Sequence, residues 1–209
     1  QEESRSAPVV IQTSDVRMDM WGYGLELYKT VDMEDTFIAF EQLQSYSTSG
    51  AFDTVRGSGA ADEEFEIYST TVRHSRYLDP DKVQRLSASF NWTATDDRLV
   101  PSRMMAFGGM YTVRGYDEYE IIADEGILTT VQYEYDLVRA EQARYGVEQS
   151  GQQPEVKPWL RRLAPVLFVD YGLARIEQAL PGEDTDLELF SWGGGLIMEL
   201  GENFTGLVY

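Results

Sequence analysis

Residues Val83–Thr95 alternate without interruption. Leu86, Ala88, Phe90, Trp92 and Ala94 point one way, and Arg85, Ser87, Ser89, Asn91 and Thr93 point the other. Successive side chains of an extended strand face opposite sides, so this pattern describes a strand with one apolar and one polar face. The same period recurs in Val16–Tyr28, Asp35–Tyr46, Ile127–Val138, Leu163–Leu173 and Asp186–Leu200, and Phe204–Tyr209 begins another. Glu64–Tyr77 places Phe65 and Ile67 against Tyr68 and Val72, which reads as a strand carrying a bulge. Helical spacing is confined to Leu137–Tyr145. The expectation is an all-β, antiparallel fold of about eight strands.

The connections discriminate among such folds. Lys29–Met33, Leu78–Lys82 and Gly201–Asn203 are short, whereas Ser47–Glu63, Asp96–Gly126 and Ala174–Thr185 are long. Alternating short and long connections describe an up-and-down barrel across an outer membrane, short turns on the periplasmic side and long loops outside. Arg139–Leu160 breaks the rule, being long where a short turn belongs, and leaves the register there open. The apolar faces lack charge in their middles, and the opposite faces carry Ser, Asn, Thr, Gln, Glu and Asp. Thirteen Tyr and four Trp suit interfacial girdles. No apolar run is long enough for a membrane helix. A soluble β-sandwich that binds a ligand or carbohydrate is the alternative of another class.

Composition narrows the chemistry. The formal charge of −19 disfavours nucleic acid, which demands clustered Lys and Arg. With no cysteine, disulfides, thiolate nucleophiles and Cys-ligated metals are excluded. His74 is the single histidine, so neither a zinc site nor a Ser-His-Asp arrangement has its parts, and it reads as an ordinary strand residue. Gly57-Ser58-Gly59 lacks the third glycine of a dinucleotide fingerprint and reads as a flexible loop. No catalytic residue, metal or cofactor is expected, and the chain is not read as an enzyme. Gln1–Ala7 is polar and resembles no signal peptide; both ends read as cuts, so the 209 residues are expected to be part of a longer chain.

One loop carries unusual chemistry: Phe107-Gly108-Gly109-Met110-Tyr111-Thr112-Val113-Arg114-Gly115-Tyr116. Gly108 and Gly109 form a hinge, and Gly115 permits a positive φ directly after Arg114. A guanidinium held in this way is a planar fork seeking a carboxylate. Asp170, mid-strand on a polar face in Phe168-Val169-Asp170-Tyr171-Gly172, needs a partner or water. The expected pairing of Arg114 with Asp170 would lock the loop to the inner wall.

These residues, Phe107-Gly108-Gly109-x-Tyr111-x-Val113-Arg114-Gly115-Tyr116, then Asp124-x-Gly126, then Phe168-x-Asp170-x-Gly172, resemble the C-terminal barrel of two-partner secretion transporters. These are the hemolysin-activator type (TpsB family) of the outer-membrane assembly superfamily. The resemblance is strongest from about Val83 to Tyr209. It implies a partial transmembrane barrel, about eight of sixteen strands, with two POTRA domains and the remaining strands upstream. It implies a pore in the bacterial outer membrane, a monomeric barrel contacting lipid, that translocates and helps activate a secreted exoprotein. It also implies that Val113, Arg114, Gly115 and Tyr116 form a lumen-inserted motif, and that Phe168, Asp170 and Gly172 form the strand motif that meets it. A barrel-assembly factor of the same superfamily is the alternative.

Overall fold

A computed structural model describes residues 16–56, 60–148 and 159–209. Eight long or medium strands form one antiparallel sheet in chain order: β1 (Val16–Val31), β2 (Glu34–Gly50), β3 (Glu66–Tyr77), β4 (Gln84–Ala94), β7 (Glu125–Tyr135), β8 (Leu160–Arg175), β9 (Asp186–Leu200) and β10 (Phe204–Val208). Inside the longest connection, β5 (Met105–Phe107) and β6 (Ile121–Ala123) pair as a small separate hairpin. One helix, α1 (Leu137–Glu148), follows β7. Among the described residues no helix is long and apolar enough to cross a membrane. The architecture is a partial antiparallel β-barrel with a long loop folded onto one face.

Register assigns every side chain to a face. The outer face collects Leu25 and Leu27 with Phe40 and Ile38, then Phe90 and Trp92 with Thr129 and Ile127, then Val169 with Trp192 and Tyr171 with Phe190. Most of these large apolar groups are exposed, Trp192 at 77% and, on the same face, Leu167 at 64%; Phe40, Ile127 and Tyr171 are half-buried. A sandwich would cover such a face with a second sheet; among the described residues none packs on it. The inner face is polar over Arg73, Ser89, Thr130, Asp170 and Ser191, aligned across five strands. Buried apolar residues gather where loops fold onto this inner face. One cluster is Phe107, Val113, Ala123, Ala174 and Leu189; two smaller ones centre on Phe52 with Val100 and on Phe65 with Leu99.

Two local expectations are corrected. No bulge interrupts β3, whose register is unbroken against both β2 and β4. Phe65 and Ile67 lie inward while Tyr68 and Val72 lie outward, which is the parity of an ordinary strand. Register shifts occur instead in the β1–β2 pair, where Asp19 meets Ser47 and Met20 meets Ser45, leaving Tyr46 over, and in the β8–β9 pair, where Arg161 is left over between Leu160 and Arg162. The strand expected over Ile127–Val138 stops at Tyr135. There Asp136 turns the chain into α1, its Oδ1 accepting from the N–H groups of Val138 (3.0 Å) and Arg139 (3.2 Å). An Asp at this position satisfies donors that a first helical turn leaves free. Good helix formers follow from Ala140 to Arg144. The helix occupies the first part of the overlong Arg139–Leu160 connection; residues 149–158, like Gly57-Ser58-Gly59 and the Gln1–Ala7 segment, lie outside the described residues. Pro165 is accommodated within β8 because pairing with β7 ends at Val166, so no bond on that side is lost.

The two faces predict asymmetric tolerance. In vesicle-folded full-length protein, Val131→Arg on the outer face should cost about 2–4 kcal/mol in urea titrations. Ser89→Arg, on the inner face, should cost under about 1 kcal/mol.

Candidate functional site in the inserted loop

The chain between β4 and β7 folds back onto the inner face. Gly108 and Gly109 adopt φ values of +96° and +99°, and the Thr112 hydroxyl donates to the Gly108 carbonyl at 2.7 Å. This closes the turn that brings Val113 down beside Phe107, both fully buried. Gly172 on β8 lies directly beneath. A Cβ there would stand 3.0 Å from Val113 Cγ2 and 3.1 Å from Phe107 Cδ1, so the wall is bare where the loop presses on it.

Next to that contact, Arg114 meets Asp170. Its Nε donates to Asp170 Oδ2 and its Nη2 to Oδ1, each at 2.7 Å, and its backbone N–H donates to Oδ2 at 3.1 Å. Asp170 is fully buried and the Arg114 side chain is 7% exposed. The fork-on-carboxylate geometry uses both oxygens and fixes the guanidinium plane. The remaining Nη1 donates to Gln132 Oε1 at 2.8 Å. The guanidinium carbon lies 3.6 Å from the Phe168 ring centroid and 4.4 Å from that of Tyr209, so aromatic rings shield the ion pair. Gly115 follows with φ +93° and turns the chain away. Tyr116 then donates its hydroxyl to the Phe190 carbonyl at 3.2 Å. Asp170 lies five residues below the end of β8 at Arg175, about 16 Å of strand, so the loop tip reaches well inside the wall.

The structure thus brings together Val113, Arg114, Phe168, Asp170 and Gly172 at one place, with Gly108 and Gly109 at the loop's turn and Tyr116 anchored separately on β9. Several neighbours carry no signal in the sequence reading. Gly193 is the partner of Phe168 across β8 and β9; a Cβ on it would stand 2.7 Å from Phe168 Cζ. Gly195 likewise leaves room for Tyr209, whose ring is 2.6 Å from the position of an added Cβ. Gly193-Gly194-Gly195 stand together in the sequence, but only the register shows that two of them seat the rings around Arg114.

A polar chain continues from the same arginine. Gln132 Nε2 donates to Glu134 Oε1 at 2.8 Å, Glu134 pairs with Arg162, and Arg162 Nη1 donates to Glu199 Oε1 at 3.3 Å. The inner face therefore carries an unbroken series of hydrogen bonds from the loop tip toward the short-turn end.

A second clamp joins the long loops. Asp124 is fully buried, accepting from Arg56 Nη1 (2.6 Å), the Leu99 N–H (2.8 Å) and the Glu177 N–H (2.9 Å). Arg98 forms a fork on Glu183, both bonds 2.9 Å, and its own N–H donates to Asp62. Segments following β2, β4 and β8 are held by these two cations. In the sequence Asp124 stands only within a motif; its three partners lie far away in the chain, and nothing local announces them. The bonds from Arg98 and the Leu180 N–H lower the Glu183 carboxyl to about 2. His74 sits on β3 beside Thr36 at 3.0 Å, and among the described residues no group of His, Asp and Glu is placed to hold a metal.

A sheet with an uncovered apolar face, a polar inner face and an arginine loop locked onto that inner face defines an outer-membrane-type barrel wall. The haemolysin secretion/activation protein family ShlB/FhaC/HecB matches residues 11–197, and the chain belongs to that family. Its members are bacterial outer-membrane transporters of two-partner secretion, and the outer membrane is where this chain resides. A search of curated proteins finds no match.

Two outcomes test the site. Gly193→Val should push the Phe168 ring off its seat, cost about 1–3 kcal/mol of stability, and expose Arg114 to trypsin in a limited-digestion time course. Glu183 is lowered below the ordinary carboxylate range, so its stabilisation is complete above about pH 4.5 and is lost as pH falls through about 2. Pepsin cleavage in the 176–185 connection should rise over that window, and Glu183→Gln should show the elevated cleavage already at its upper end.

Proposed function

We propose that this chain forms wall and inserted loop of a pore that passes an unfolded partner exoprotein outward across the outer membrane and helps activate it. The observation that carries this reading is the buried fork of Arg114 on Asp170. It ties a loop from the long-connection side to the inner wall, well below the rim. No covalent chemistry is required of it. The inner face offers Ser, Thr, Asn and Gln to a moving chain, groups that exchange hydrogen bonds readily with a peptide backbone. The loop occupies that face and has to be held in a defined place for the path beside it to keep its shape.

In this reading Arg114 and Asp170 hold the loop, Val113 and Gly172 seat it, Gly108 and Gly109 turn it, and Gly115 with Tyr116 shape its tip. Further strands would complete the cylinder beyond the sheet's edges at β1 and β10, and two POTRA domains would precede this part, as the family resemblance implies. The partner is a secreted exoprotein, and the barrel works as a monomer surrounded by lipid.

Arg114→Ala or Asp170→Ala in the full-length protein should leave a membrane-inserted barrel, seen as heat-modifiable mobility, while exoprotein in the culture medium falls at least about tenfold. Because both changes remove the same contact, the double variant should secrete no less than the worse single variant. Normal secretion from both single variants would remove their assigned role.

A further inference from the structure

At the short-turn end of the inner face, a pocket of about 90 Å³ opens between the β3–β4 turn, α1 and the start of β8. Its lining is unusual for a chain of net charge −19. Lys82, Arg85, Arg139, Arg161 and Arg162 converge there, against the three carboxylates Glu134, Asp136 and Glu199. Lys82, Arg85 and Arg139 each stand within 5.6–5.8 Å of the Tyr77 ring centroid. Three like charges around one ring repel each other unless something nearby neutralises them.

The carboxylates present are already engaged within the cluster: Asp136 Oδ2 pairs with Arg139 Nε at 3.5 Å, and Glu134 and Glu199 both pair with Arg162. Asp136 Oδ1 caps α1 through the N–H groups of Val138 and Arg139. Glu134 is engaged by Gln132 as well. Lys82 is drawn outward to Asp32 at 2.6 Å. Among the described residues Arg85 and Arg161 form no ion pair. Arg85 spends one nitrogen on Ser75 Oγ at 2.9 Å, and its buried Nε has no partner. Surplus positive charge and unspent donors therefore face a space large enough for one carboxylate and its water.

Register says where that space opens. Tyr77, Arg85, Glu134, Arg162 and Glu199 share the inner face. The pocket is thus on the side a passing polypeptide would touch, at the end opposite the long loops.

We propose that this pocket is a docking site for an acidic side chain of a polypeptide entering the lumen from the short-turn side, with Arg85 and Arg161 as its principal donors. The inference rests on the pore reading above and adds a substrate-recognition element to it. An Asp or Glu of the incoming chain accepts from the free donors of Arg85 and Arg161 and balances the positive charge left over once Lys82 is paired with Asp32 and Arg139 with Asp136. Its bond is transient because the pocket is open to water, so the chain can move on. The inserted loop then meets a segment already aligned along the inner face.

The test uses full-length protein in detergent micelles and a fluorescently labelled hexaglutamate peptide, with anisotropy as the readout. Wild-type protein should bind it in a salt-sensitive manner and should not bind hexaglutamine. Arg85→Gln/Arg161→Gln should weaken binding about tenfold or more, and Arg85→Lys/Arg161→Lys should restore most of it. Arg161 is exposed at a strand irregularity, so Arg161→Gln alone is the variant whose folding is safest, and it should weaken binding several-fold. Unchanged affinity in the Gln variants, or equal binding of hexaglutamine, overturns the proposal. Inorganic phosphate binding as tightly as the peptide overturns it too, since the site would then serve a free anion. None of these outcomes touches the pore reading, which is decided separately by secretion from the Arg114 and Asp170 variants.

Discussion

A buried carboxylate on a strand wall is unstable by itself, and Asp170 is fully buried. Everything around it answers that one constraint. Arg114 supplies three donors from a single residue, two from the side chain and one from the backbone. The arginine arrives only because its loop turns at Gly108 and Gly109 and rests on the bare surface at Gly172. Phe168 and Tyr209 cover the pair, and they fit only because Gly193 and Gly195 lack side chains. A fully buried pair of this kind costs about 3–5 kcal/mol to break from one side. On a wall that water reaches the loss is smaller, yet still large beside the stability of a single loop.

The two faces of the sheet differ in chemistry. Its outer face is apolar and uncovered, as a lipid-facing surface has to be. The inner face holds the charges, and they are organised rather than scattered. The series from Asp170 through Arg114, Gln132, Glu134 and Arg162 to Glu199 runs along adjacent inner positions. At the other end, Arg56 with Asp124 and Arg98 with Glu183 pin the long connections together. The loop is thereby fixed both at its tip and at its base.

Much of this was legible beforehand for a simple reason. Pleat alternation is local, so Leu86 to Ala94 and Leu163 to Leu173 could be sorted into faces from the residues alone. Glycines flanking an arginine mark a shaped turn, and a lone aspartate on a polar strand face asks for a cation. The errors were local too. Phe65 with Ile67 and Tyr68 with Val72 suggest a bulge only at first sight, since odd and even positions of one strand already have opposite parity. The helix that the spacing of Leu137–Tyr145 announces does form, as α1; the strand alternation of β7 overlaps it at Leu137 and Val138, and the cap at Asp136 decides the overlap for the helix. The irregularities at Tyr46 and Arg161 are invisible in the sequence because a left-over residue is defined only against a partner strand.

Face assignment, the glycine-shaped turn and the demand of Asp170 for a cation belong to the sequence, because each depends on one residue and its immediate neighbours. Which residues complete the site belongs to the tertiary structure alone. Gly193 stands opposite Phe168, and Arg56 reaches Asp124 across 68 positions, only through strand register and the path of the loops. Those depend on the packing of the whole sheet, a cooperative quantity that no short stretch of chain encodes.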